Sequence, residues 1–221
     1  GLVLQEQMVG PWQVPVADVA VTAVGHVGYA AEAFALGERA PLAVQHAAAS
    51  ARMAIAEALT NLGAAGGIDR RRIVLSANWM AAVSQPGQDE ALVRAVRAAC
   101  LDFCPALEVA IPVGKDSLSM ATRIANGAEE VTVTSPVTLV ASAFAPVADG
   151  RRRLTPELDR SARDSRLLLL APRADAARLG GSVLAQVYSG IADETPDGEA
   201  SELAALFDLL QVWQAETQLL A

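Results

Sequence analysis

Lysine is almost absent: Lys115 is the only one in 221 residues, and arginine supplies every other positive side chain. Acidic residues outnumber basic ones 25 to 17, for a formal net charge of −8. The sequence pI is about 4.8. A chain of that sign repels a phosphate backbone, which excludes general nucleic-acid binding. Small phosphates stay open as ligands, because a metal or one local cation reverses the sign at a single site. Cysteine is equally scarce. Cys100 and Cys104 stand alone, too few for a disulfide framework, and no further cysteine completes a zinc site. They lie one turn apart in a segment that reads as helix, and are expected to be buried or half-buried thiols in a reducing compartment. The two histidines, His26 and His46, lack metal-ligand spacing. No apolar run reaches the 18 residues of a membrane span and no signal peptide is recognisable, so a cytoplasmic protein without membrane contact is expected. Aromatics are only 4% against 52% hydrophobic residues, so the core must be built from Ala, Val and Leu. The length suits one large domain or two small ones. A start at Gly1 is expected of a piece of something longer.

What is present alternates between strand and helix patterns, which predicts an α/β or α+β fold. Residues 14–22 alternate and are valine-rich, as in a strand, with Asp18 breaking the apolar pattern. Pro41 suits a first helical position, and an alanine-rich helix is predicted over 41–62, stopped by Gly63. Further strands are predicted at 72–77, 109–113 and 166–170, and one long or two short strands over 131–147, with Pro136 between. Further helices are predicted at 88–103, 180–188 and 202–220. The polar stretch 148–164 reads as a surface excursion, and a boundary near Thr134 is expected where the pattern changes.

Several groups could carry chemistry. Glu57 and Asn61 are four residues apart on the long helix and share a face. That stretch is otherwise mostly apolar, so a carboxylate there needs a partner. Asp18 has the same need on a separate strand. Two carboxylates and an amide oxygen suit Mg²⁺, with water and phosphate oxygens completing an octahedron. The competing reading puts Glu57 and Asn61 on a solvated face and Asp18 on a turn. Gly114-Lys115-Asp116-Ser117 follows an apolar strand. Glycine allows close approach of a phosphate, and Lys and Ser can contact its oxygens. It is not a Walker A loop, since Val109 stands where the first glycine belongs and Asp116 follows the lysine. A plain polar turn competes here too. Asn78 reads as a turn residue after its strand. Glu38 and Arg39 read as a helix cap and an ion pair, and residues 151–153 as a solvated basic loop.

Several stretches in order carry a resemblance. They are Gln7-Met8-Val9-Gly10-Pro11-Trp12-Gln13-Val14-Pro15, Gly37-Glu38-Arg39-Ala40-Pro41, Ala49-Ser50-Ala51-Arg52 and Glu57-Ala58-Leu59-Thr60-Asn61. Leu75-Ser76-Ala77-Asn78-Trp79-Met80, Cys104-Pro105-Ala106-Leu107 and Ile111-Pro112-Val113-Gly114-Lys115-Asp116-Ser117 follow. Together they resemble the synthetase region of the large, single-chain formylglycinamidine ribonucleotide amidotransferase family. The likeness is dense to about residue 146 and thinner after it, where Leu154-Thr155-Pro156 and Leu184-Ala185-Gln186-Val187-Tyr188 still fit.

The resemblance implies a two-part unit similar to aminoimidazole ribonucleotide synthetase, present twice in the family. This chain corresponds to the first part of the second copy, residues 1–133, and the beginning of its second part, 134–221. The implied activity is that of an ATP-dependent C–N ligase of the glutamine amidotransferase type. It makes formylglycinamidine ribonucleotide from formylglycinamide ribonucleotide, ATP and glutamine-derived ammonia, in purine biosynthesis. The implied partners are those substrates, the rest of the synthetase region and a glutaminase domain. The family has a catalytic nucleotide site and an auxiliary one holding Mg-ADP. Asp18, Glu57 and Asn61 correspond to magnesium ligands of the auxiliary site, and Ala17 to a residue that touches its nucleotide. A further ligand corresponds to a position beyond Ala221. Lys115, Asp116 and Ser117 correspond to a loop near the catalytic half, contacting phosphates. The alternative is a structural nucleotide-binding scaffold with no direct catalytic role. The chain departs from the family at His46, where Asp is frequent, and at Ala121, where Lys is frequent. Neither cysteine resembles the glutaminase nucleophile, and the isolated chain is expected to be inactive.

Overall fold

Small side chains at every second position let one face of a strand sit flush against a helix. Residues 31–38 follow this rule, with Ala31, Ala33 and Ala35 each 2% exposed and Glu32, Leu36 and Glu38 facing out. The computed structural model describes residues 1–127, 129–159, 161–171, 178–192, 194–216 and 219. In chain order the strands are β1 (Val3–Gln5), β2 (Met8–Val9), β3 (Val14–Pro15), β4 (Val19–Ala23) and β5 (Ala31–Glu38). Helix α1 (Ala43–Leu62), β6 (Val74–Met80), α2 (Gln88–Arg97) and α3 (Cys104–Ala106) follow. Then come β7 (Ala110–Ser117), β8 (Ala121–Asn126), β9 (Glu129–Thr134), β10 (Thr138–Val147), α4 (Val183–Val187) and α5 (Ala200–Ala215).

The main sheet has the order β1-β4-β5-β10-β6-β7. All its pairs are antiparallel except β6 and β7, which are parallel and joined across α2, as a parallel pair requires. Pairs β2–β3 and β8–β9 form separate two-stranded sheets. One face of the main sheet packs on α1 and α2, around Val21, Ile55, Leu59, Leu75, Ala141 and Ala143. On the other face Phe34 and Phe144 pair at 5.0 Å.

Gly37 sets the contact between β5 and α1. A Cβ there would stand 2.0 Å from the Ala54 carbonyl oxygen and 2.5 Å from the Ala58 nitrogen. Only a residue without a side chain lets the helix backbone come this close.

The expected helix over 41–62 is interrupted near its start. Ala40–Leu42 is a 3-10 turn, and His46 leaves helical geometry at φ −148°, ψ 89°. Its Nδ1 accepts the Ala49 N–H at 3.0 Å, so His46 caps the straight helix beyond it. At the far end Gly63 is the stop, as expected. Two glutamines of α5 complete that end. The amides of Gln211 and Gln214 both donate to Gly63 O, at 3.2 and 2.6 Å, and Gln211 also bonds Ala65 O and Ile68 N–H.

Other expectations are redrawn by pairing. Residues 14–22 are two strands in two sheets, separated by residues 16–18. The helix expected over 88–103 continues through a π-helical stretch, Ala98–Phe103, to Ala106. Residues 131–147 resolve into parts of β9 and β10 with Pro136 between them. Gly114–Ser117 is the second half of β7, and Ser76 to Trp79 lie inside β6, so neither is a turn. Residues 166–170 form no strand, with Leu167 and Leu169 each 93% exposed. An apolar run becomes a strand only when a neighbouring strand takes up its backbone groups, and this one pairs with no described strand. Positions 217, 218 and 220 of the last predicted helix lie outside the described residues. β10, beyond the expected boundary at Thr134, is hydrogen-bonded between β5 and β6 in mid-sheet. No helix among the described residues is long and apolar enough to cross a membrane.

Candidate functional site

The close approach at Gly37 brings two side chains of α1 onto the backbone of β5. Asn61 Nδ2 donates to Leu36 O at 2.9 Å, and Glu57 Oε2 accepts the Glu38 N–H at 2.8 Å. The two bonds clasp the strand on either side of Gly37. Glu57 Oε1 meets the Arg39 guanidinium at 2.7 Å, and the Glu57 side chain is 24% exposed against 47% for Arg39. Glu57 and Asn61 are therefore anchored residues, and the solvated-face reading does not describe them. With Nδ2 committed to a carbonyl, Oδ1 is the Asn61 atom left for a ligand.

Asp18 lies in the connection before β4, exposed, and its carboxylate has no hydrogen-bond or ion-pair partner among the described residues. Neighbouring Ala17 uses its N–H on Gln7 O at 3.1 Å, which leaves its carbonyl and methyl for any contact. Asp18, Glu57 and Asn61 line one cleft of about 570 Å³, with Arg39 and Thr60 beside them. A second cleft, of about 320 Å³, continues past Asp18 and Asn61 over Ala17, Val19 and Leu154. The larger cleft has a braced wall. Arg52 of α1 holds Asp197 through two bonds, at 2.7 and 2.6 Å, and that bond pushes the guanidinium pKa further up.

The donor set fits a hard cation. Asp18 offers a free carboxylate, each Glu57 oxygen keeps a lone pair, and Asn61 adds a neutral oxygen. Arg39, half exposed beside Glu57, is placed to meet an anion carried by that cation. No group of three or more His, Cys, Asp or Glu among the described residues could hold a metal ion by itself. The Asp18 set, with two acids and one amide, reaches three donors only by counting Asn61.

Lys115, Asp116 and Ser117 lie elsewhere, exposed on edge strand β7, and do not line either cleft. Cys104 is buried and its thiol is pushed up to about 12 by burial and then by Cys100 nearby, which keeps it inert. Sequence reasoning anticipated an ion pair at Arg39 but not its partner. It also passed over Gly37, although a glycine in a strand pattern signals close backbone approach.

The model of the FGAR-AT PurM_N-like domain matches residues 1–146. Among solved structures the chain is similar to Thermotoga maritima PurL complexed with ADP, at 19% identity and a TM-score of 0.45, covering 64% of this chain and 22% of that one. PurL from the same organism complexed with FGAR gives 18% identity and a TM-score of 0.45, covering 64% and 21%. The hydrogenase maturation protein HypE is more distant, at 10% identity and a TM-score of 0.32, covering 64% and 38%. The chain thus spans about a fifth of the length of the PurL chains it matches.

Proposed function

The chain belongs to the FGAR-AT PurM_N-like domain family, and on that footing we propose that it is part of an ATP-dependent synthetase that amidates formylglycinamide ribonucleotide in purine biosynthesis. In this reading Asp18, Glu57 and Asn61 hold Mg²⁺ at an auxiliary site for ADP, and the carbonyl or methyl of Ala17 touches the nucleotide. The observation that carries it is the convergence of the three oxygen donors on one cleft, two of them locked to the β5 backbone. A bound Mg²⁺ supplies charge neutralisation for phosphate oxygens. The chain's own residues do the rest. The Leu36 carbonyl and Glu38 N–H fix the direction of two donors, and Arg39 balances the excess negative charge. The separate position of Lys115, Asp116 and Ser117 supports a division of labour, with the Asp18 cleft structural and β7 facing the catalytic half. Glutamine-derived ammonia, a glutaminase domain and the remaining synthetase region belong to the same proposal, as do a cytoplasmic location and a two-part division of the chain, whose boundary the mid-sheet place of β10 moves from near Thr134 to beyond Val147.

The test is the nucleotide released on denaturing the purified protein, wild type beside Glu57→Ala. Stoichiometric ADP in the wild type and none in the variant is expected. Absence from both, or equal retention, removes the auxiliary site and leaves family membership alone. A second reading makes the whole segment a nucleotide-binding scaffold with no direct catalytic role. Lys115→Ala decides it: collapsed turnover with ADP retained gives β7 a catalytic part, and unchanged turnover leaves the scaffold.

A further inference from the structure

The register of β7 against β6 contains one irregularity. Val74 is opposite Ala110, but Ser76 is opposite Val113, so three residues of β7 span two of β6. The extra residue falls at Ile111 and Pro112, and proline belongs at such a bulge because it has no ladder donor to lose. Side chains alternate with a period of two, so one added residue exchanges the faces of everything after it. Without the bulge, Gly114 and Asp116 would share a face with Ser76, Asn78 and Met80. With it, Asn78 is opposite Lys115 and Met80 is opposite Ser117. Leu75, Ala77 and Trp79 are buried against the helices, which puts Asn78, Lys115 and Ser117 together on the opposite sheet face. Gly114 falls on the inner side, where a Cβ would stand 2.7 Å from Ala77 O.

Asn78 brings to that face a buried side-chain oxygen, Oδ1, with no hydrogen-bond partner. An amide oxygen left in this state is costly, and a native fold keeps it for a reason. Its direct cross-strand neighbours are Val140 and Lys115. Valine has no donor. Lys115 has three on a flexible stem, is exposed, and has no partner of its own among the described residues.

We propose that Asn78 is a positioning residue for Lys115: Oδ1 accepts a hydrogen bond from the Lys115 ammonium and holds it beside Ser117, aimed at a phosphate oxyanion. The pairing stands on the strand register and the unpartnered Asn78 oxygen, while the phosphate rests on the proposed function. The bulge is then the device that makes the site, since it selects Lys115 and Ser117 over their neighbours. A lysine anchored this way presents one fixed charge and keeps donors free for the anion.

The chain's only lysine makes the experiment clean. The purified protein is treated with an acetylating ester at fixed pH, and acetylation of Lys115 is timed by site-resolved mass spectrometry. Only the free amine reacts, so an anchored ammonium reacts slowly. Asn78→Leu removes the acceptor, and Lys115 is expected to react about tenfold faster, as the loss of one charged hydrogen bond implies. Asn78→Asp strengthens the acceptor, and the rate is expected to fall below wild type. Alkylation of buried Cys104 reports whether each variant is folded. If Asn78→Leu exposes Cys104, Asn78→Asp decides alone: slower acetylation supports the pairing, and an equal or faster rate overturns it. Equal rates in all three folded proteins overturn it as well. Turnover is read separately. A faster-labelling Asn78→Leu with unchanged ATP-dependent turnover removes the phosphate role and leaves the pairing.

Discussion

Replacing Gly37 by alanine puts a methyl group in place of a hydrogen where the structure has no room for it. The new Cβ would lie 2.0 Å from Ala54 O, and an ordinary contact needs about 3.4 Å, so α1 must retreat by about 1.4 Å. The atoms in the way are helix backbone, which cannot rotate aside as a side chain can. Overpacking costs about 1–3 kcal/mol, and a backbone clash belongs at the upper end, about 3 kcal/mol. Alanine recovers part of this, about 0.5–1 kcal/mol, by restricting the unfolded chain. In a chain of this length the remainder lowers Tm by roughly 4–10 °C. The retreat also pulls Asn61 from Leu36 O and Glu57 from Glu38 N–H, now at 2.9 and 2.8 Å. Stability and nucleotide retention should therefore fall together. Thermal unfolding monitored by circular dichroism gives the first quantity, and ADP released on denaturation gives the second. A Gly37→Ala protein with wild-type Tm and full ADP content would falsify the argument that this contact aims the site.

Two further outcomes follow from local geometry. His46→Asp should stabilise the protein by about 0.5–1 kcal/mol in chemical denaturation, because a carboxylate accepts the Ala49 N–H and adds negative charge at the helix start; no gain would mean the His46 cap is already optimal. Asp149 is held low, at about 2, first by its side-chain bond to Arg151 and then by the Arg151 backbone N–H. A depressed carboxylate stabilises the fold above its unfolded value near 4 and loses that effect as pH falls through its folded value. The stability gap between wild type and Asp149→Asn should accordingly be constant above pH 5 and close between about pH 4 and pH 2. A gap independent of pH in that window would refute the assignment.

The fold class was legible because strand and helix periods alternate, and Pro136 marked the break between β9 and β10. That Glu57 and Asn61 are anchored was legible because they sit one turn apart among apolar residues, where polar groups need a reason, whereas grouping them with Asp18 as a ligand set came from the resemblance. What could not be read was registration between segments distant in sequence. Gly114 to Ser117 resembles a loop in one dimension, and only pairing with β6 makes it a strand with chosen faces. Residues 166–170 resemble a strand until the absence of a neighbouring edge is known. His46 looked like an ordinary helical residue, since its cap depends on one imidazole nitrogen meeting Ala49.

The glutamines of α5 have a consequence in time. The carbonyl of Gly63 at the end of α1 is met by side chains that lie 148 and 151 residues later. A ribosome adding about 5–20 residues per second needs roughly 8–30 s to cover that interval. Throughout it the nascent chain presents the end of α1 to water, and to any chaperone that recognises exposed helix ends. The long helix can form early, but its end is finished only when Gln211 and Gln214 arrive, so a helix made later acts as the latch of one made earlier.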